Sequence, residues 1–256
     1  MLVFLDTEFT DLLRPQLLSL GLVTSDLAHE HYTELDLSTD VGKARQKAAG
    51  DFASFEVLDQ WGAVAAAKAT EWEMGRSAGE WLVARAAEAG GRVEVAYDYA
   101  ADMELLEAVI REARLWEQVG PVIMPVNVDQ LTGTIDGELA AEECFREMKK
   151  RGLRRHHALA DAHALAHAYR AVKDTNVRFA RFAASEQFHM LAQATELGAA
   201  LKCLDGFDTS RWLWGWLVSD VEALDRRRPL DVIDGPDGAD HFSDIVGDLV
   251  RGRYQR

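Results

Sequence analysis

The amino-acid sequence predicts an α/β protein in which a mixed sheet flanked by helices is followed by a small all-α unit. Three observations carry that prediction. Two short apolar runs near the N-terminus, Met1–Leu5 and Leu17–Val23, are followed by a weakly alternating segment, His31–Leu37. Strand-like and helix-like segments then alternate from about residue 78, and beyond residue 177 only helical patterns remain.

Taken in order, Met1–Leu5 ends in the acids Asp6 and Glu8, and Leu17–Val23 (LLSLGLV) carries Gly21 inside it. Both read as buried strands. His31–Leu37 (HYTELDL) alternates weakly and completes an antiparallel meander. Ser38–Gly50 is polar and glycine-containing, and reads as loop. Helical spacing places Trp81, Leu82, Ala86 and Ala89 in one helix over Ala78–Ala89, which Gly90-Gly91 ends before a strand at Val93–Ala96. A helix over Met103–Arg114, a strand over Val122–Val126 and a helix over Glu138–Arg151 follow. The alanine-rich stretch His157–Val172 is the last helix of this half. Lys173–Arg178 (KDTNVR) is polar with no apolar period, so it predicts the boundary between a first domain, residues 1–174, and a second, residues 177–256. Within the second, Asp205-Gly206, Arg226–Pro229 and Gly235-Pro236 separate the helices.

At 256 residues and 48% hydrophobic content the chain is an ordinary folded protein. No apolar run approaches the roughly 20 residues that cross a bilayer. The first strand is followed at once by acids, so no membrane segment or signal peptide is expected, and the cytoplasm is the expected compartment. Cys144 and Cys203 lie in helix-like segments without CxxC spacing, which argues against a disulfide framework or a zinc ribbon.

A net charge of −15 weighs against binding nucleic acid through a basic surface. Divalent cations held by clustered carboxylates would reverse the sign locally. In addition, six of the 18 Lys/Arg before residue 177 (Arg146, Lys149, Lys150, Arg151, Arg154 and Arg155) fall within ten residues. They form either a phosphate track or a solvated helix face paired with acids such as Glu147.

Asp6 and Glu8, two apart at a strand end, point to the same face. Two such carboxylates repel, and in an apolar setting they hold a proton or a hard cation. Asp102 follows the Val93–Ala96 strand at a helix start. Asp161 lies inside the alanine-rich helix, where an acid without a lysine partner does little for stability. His156 stands five residues ahead of Asp161, suited to take a proton from water near neutrality, with His157 as its rival on the helix face. His163 and His167 form an HxxxH pair that lacks a third zinc ligand.

LDTEF at 5–9, Asp98-x-x-x-Asp102-x-x-Leu105-Leu106 and His156-x-Ala158-x-x-Asp161-Ala162 resemble, in order and spacing, the three motifs of the DEDDh exonucleases, which have a ribonuclease-H-like fold. The resemblance spans roughly residues 1–172, meander included. It implies that Asp6, Glu8, Asp102 and Asp161 hold two Mg²⁺ or Mn²⁺ ions and that His156 deprotonates the attacking water. The product would be a nucleoside 5'-monophosphate, cut from the 3' end of RNA or single-stranded DNA. Phe9 would then stack on the terminal base, or simply pack in the core, and Thr10 would hydrogen-bond the sugar. Asp98 stands where the family usually has Asn, so it shares the metal role with Asp102 or only orients the turn. Lys150, Arg151 and Arg154 would guide the substrate backbone.

Residues 177–256 carry 10 Lys/Arg and 13 Asp/Glu, so the acidity belongs mostly to the first half. The stretch with Trp216-Leu217, Arg228-Pro229-Leu230-Asp231-Val232-Ile233 and Gly238-Ala239 resembles the toxin-binding domain of Xre/MbcA/ParS-type antitoxins. That implies a helical module for homodimerisation or for docking a toxin-like protein, with Trp212, Trp214 and Trp216 as its aromatic surface. A rival reading is a non-catalytic interaction protein on an exonuclease-like scaffold. Retention of every carboxylate favours the enzyme, and the sequence does not separate RNA from DNA.

Overall fold

Alternating side chains decide which face of the sheet each residue of the first strand serves. In the computed structural model, β1 (Leu2–Phe9) pairs antiparallel with β2 (Leu17–Thr24), and β2 antiparallel with β3 (Glu30–Leu35). A two-residue strand, β4 (Lys68–Ala69), adds to β3 in parallel. On its other side β1 runs parallel to β5 (Val93–Tyr97), which runs parallel to β6 (Ile123–Asn127). The result is a six-stranded mixed sheet of order β4-β3-β2-β1-β5-β6.

The structure describes residues 1–183, 185–202, 204 and 207–254; Cys203 and the Asp205-Gly206 break lie outside them. The side chains of 179–181, 183, 210 and 211 are likewise outside the description. The chain divides into two compact units, Met1–Lys173 and Asp174–Arg256.

In the first unit, helix α1 (Asp40–Ala48) occupies the segment that the sequence predicts as loop. Its residues are mostly exposed, so no apolar stripe announces it; the Thr39 hydroxyl caps it by accepting from the Gly42 N–H at 3.0 Å. Helix α2 (Glu71–Glu88) starts seven residues before the predicted Ala78, because Thr70 and Glu73 form a reciprocal capping box. Helix α3 (Ala100–Glu112) follows β5, and the short α4 (Trp116–Val119) leads toward β6. Beyond β6 come α5 (Asp129–Thr132), α6 (Ile135–Met148) and α7 (Ala158–Ala183). The predicted linker 173–178 is helical and belongs to α7; its polar residues lack an apolar stripe but contain no helix breaker.

Val3, Leu5, Leu20 and Leu22 pack against Met74, Ala78 and Leu82 of α2 and Leu106 and Ile110 of α3. On the opposite face Phe4 packs with Leu165 and Ala166, and Val23 with Cys144, Met148 and Leu159. Asp6 and Glu8 therefore share Phe4's face, toward α7, whereas Thr7 shares the α3 face with Leu5.

In the second unit α8 (Glu186–Leu201), α9 (Thr209–Val218), α10 (Pro229–Ile233) and α11 (Gly238–Val250) enclose Leu191, Leu213, Leu217, Ile245 and Leu249. Trp212 and Trp216 stack with ring centroids 5.6 Å apart, and Trp214 is 40% exposed. Among the described residues no helix is long and apolar enough to cross a membrane.

Candidate active site

The half of β1 that carries the acids runs beyond its pairing with β5, which covers only Leu2–Phe4. From there the chain of β5 turns through Asp98 and Tyr99 into α3, and this brings Asp98 and Asp102 beside Asp6. One ligand atom from each of Asp6, Asp98 and Asp102 lies within 4.8 Å of the others. A second group, Glu8, His156 and Asp161, meets the same 4.8 Å limit. The sequence-predicted carboxylates and His156 thus come together at one end of the sheet.

Asp161 reaches this point because α7 presses directly on β2. An added Cβ at Gly21, the register partner of Asp6, would lie 2.3 Å from the Ala158 carbonyl oxygen. Only glycine admits that approach. In the first turn of α7 the Asp161 Oδ2 accepts the His157 N–H at 2.9 Å, which caps the helix and fixes the carboxylate.

Asp102 is oriented from the other side of β1. The Thr7 N–H and hydroxyl donate to its Oδ1 at 3.1 and 2.7 Å, while Oδ2 is buried with no partner among the described residues. A buried oxygen left orphaned beside other carboxylates is a feature that a bound cation explains.

The electrostatics agree. Burial, and then the charge of Asp161, Asp102, Glu8 and Asp98, hold the Asp6 carboxyl well above the usual range. Glu8 is pushed up to about 9, chiefly by burial and then by Asp161 and Asp102. Asp102 and Asp161 both rise to about 7; burial is the main cause, opposed by the Thr7 bonds in one case and by backbone N–H bonds in the other. At neutral pH the cluster either retains protons or binds a cation. Its donors are hard carboxylate oxygens, which suit Mg²⁺ or Mn²⁺.

The two neighbouring histidines have separate surroundings. His156 is half-buried, edge-on to Phe52 at 4.7 Å, and burial lowers its pKa below the usual histidine value. His157 is buried and stacked on Tyr32 at 4.4 Å; among the described residues neither ring nitrogen has a partner, and burial lowers its pKa to about 4. It is a neutral core residue. His163 bonds Glu30 at 2.8 Å, and neither it nor His167 joins a ligand group among the described residues.

Phe9 stacks on the exposed ring of Tyr99 at 6.0 Å, beside Asp98. Thr10 is buried, and its hydroxyl accepts the Gln16 N–H at 3.2 Å within its own loop. Of the basic run, Lys150 pairs with Glu147 at 2.6 Å, Arg151 with Glu30 at 2.6 Å and Arg154 with Asp59 at 2.7 Å, all on the surface. Arg155 pairs with Glu142, lies 4.5 Å from the Phe145 ring centre, and lines a cleft of about 200 Å³ together with Asp6, Asp98 and Asp161.

Sequence reasoning missed Thr7, Tyr99 and Gln60, and read Arg155 only as one member of the basic run. Thr7 is detectable in principle, as the residue between two acids that must face the other way, and Tyr99 and Arg155 adjoin motif residues. Gln60 carries no such signal. No family model matches this chain, and neither a curated protein nor a solved structure matches it.

Proposed function

We propose that this chain is a metal-dependent 3'–5' exonuclease of the DEDDh type, acting on RNA or single-stranded DNA and releasing nucleoside 5'-monophosphates. The observation that carries the reading is the convergence of Asp6, Glu8, Asp102 and Asp161 with His156 from segments up to 155 positions apart, at the expense of mutual repulsion. The sheet order, with an antiparallel meander extended by two parallel strands, supports a ribonuclease-H-like assignment.

Two Mg²⁺ or Mn²⁺ ions held by the four acids would supply positive charge for the scissile phosphate and its leaving oxygen. The chain's own residues do the rest. The His156 imidazole accepts the proton of the attacking water as the new P–O bond forms and the P–O3' bond breaks. The lowered pKa keeps that imidazole neutral, and so able to accept, at physiological pH. Thr7 holds Asp102 in one orientation, and the Phe9–Tyr99 pair offers an aromatic surface to the terminal base. Arg155 brings a cation to the cleft, and Lys150, Arg151 and Arg154 would meet the rest of the strand by exchanging their acidic partners for phosphates.

Incubation of the purified protein with Mn²⁺ and end-labelled RNA and DNA strands tests the reading. Mononucleotide release from the 3' end is expected, and cleavage undiminished in excess chelator would reject it. For the helical unit, the resemblance supports association with a second copy or a toxin-like protein. Light scattering on the full chain reads the first alternative.

A further inference from the structure

We infer that Gln60 is a positioning residue that aims His156 at the carboxylate cluster; the inference rests on the exonuclease reading above. Gln60 lies in a 3₁₀ turn, Leu58–Gln60, remote in sequence from every motif, and is 8% exposed. Its Nε2 donates to the carbonyls of Arg155 and His156 at 2.9 and 3.0 Å and approaches that of Glu56 at 3.1 Å. Its Oε1 accepts the Arg154 N–H at 3.0 Å.

The geometry of those bonds is specific. The Arg155 and His156 carbonyls belong to the two peptide planes that bracket the His156 Cα, so one amide fixes both planes and with them the direction of the Cα–Cβ bond. His156 is held with φ 64°, a conformation that residues with a Cβ avoid. Such a conformation persists only where its surroundings over-determine it. The same segment supplies Phe52, whose ring packs edge-to-face on the imidazole. It is also tied to the end of β1, since the Gly50 N–H donates to the Thr10 carbonyl at 3.0 Å. The histidine is therefore referenced to the strand that bears Asp6 and Glu8 through a scaffold outside all three motifs.

Replacing Gln60 by Met keeps most of the side-chain length and removes all four bonds. The Gln60→Met variant is expected to lower kcat by roughly 10–100-fold, the usual worth of a group that orients a site residue, with KM changed little. In a His156→Ala background the same substitution should lower kcat little further, because Gln60 acts on the chemical step through that imidazole. A wild-type kcat in Gln60→Met overturns the inference, as does an equal loss in both backgrounds. Gln60→Glu, which keeps the acceptor for the Arg154 N–H, should fall between wild type and Gln60→Met and serves if the methionine variant does not fold. Amide exchange at Arg154 is read without substrate or metal. If wild type fails to cleave, the nuclease reading falls, and the clamp stands on faster Arg154 exchange in Gln60→Met or falls if exchange is unchanged.

Discussion

The end of β1 in the sheet unit and a set of surface acids in the helical unit treat the same residue type in opposite ways. In the helical unit Arg178 bonds Asp231 and Asp234 at 3.0 and 2.9 Å, Arg228 bonds Asp231 at 2.7 Å, and Arg251 and Arg253 both reach Asp248. Each of these three acids has a guanidinium. At the end of β1, by contrast, Asp6, Glu8, Asp102 and Asp161 crowd one another, and among the described residues none forms a salt bridge with arginine or lysine. Paired acids on a surface are neutral to mildly stabilising. Crowded acids shielded from water destabilise the chain that carries them unless something else neutralises them, so their presence argues for a ligand rather than for stability.

The largest test of that contrast removes a crowded acid. Asp6→Ala or Asp161→Ala should lower cleavage by roughly 10³-fold or more, as loss of metal-derived charge stabilisation implies. Asp6→Ala should also melt higher than wild type without metal, because it relieves repulsion without removing the helix cap that Asp161 supplies. An Asp6→Ala variant that melts lower in metal-free buffer would break the comparison.

Next in size is the division between the two histidines. His156→Ala should cut the rate by roughly 10²–10⁴-fold, the worth of a positioned base. His157→Ala should lower thermal stability, since it removes a buried ring stacked on Tyr32, and affect the rate much less. A reversal of the two rates would exclude His156 as the base.

A pH series sharpens the comparison further. Asp102 and Asp161 titrate near 7 and Glu8 near 9 in the folded state, all above their ordinary values, so the folded chain binds these protons more tightly than the unfolded one. Stability present at low pH is then lost as pH rises through those values. Metal-free melting temperature should fall from about pH 4, where the unfolded carboxyls ionise, to about pH 9, more steeply below about pH 7 where all three carboxyls contribute, and saturating Mg²⁺ should flatten the slope. The smallest effect belongs to the paired acids: Arg178→Ala is expected to cost about 1 kcal/mol or less, given its partial exposure, with cleavage unchanged.

The strands and most helices were legible in the sequence because their apolar periods are strong; LLSLGLV is buried at every position as it stands in β2. Helix α1 was not, since a cap and solvent-exposed residues leave no stripe to read. The site divides in the same way. Its acids and His156 sit at spacings that a short motif encodes, so they can be found locally. Gln60 was invisible, because its partners lie 94 to 96 positions away and a lone glutamine says nothing of what it will touch.

The contact between Gly21 and the start of α7 has a bearing on how the chain is made. Asp6 and Glu8 are synthesised well before Asp161 and His156, which emerge only after the whole sheet and α6. Until α7 settles on β2 the nascent polypeptide carries only half of the carboxylate cluster and lacks His156. Were the chain the nuclease proposed above, assembly in that order would keep it silent beside the messenger and ribosome that produce it, and its activity would itself report that the first unit has finished folding.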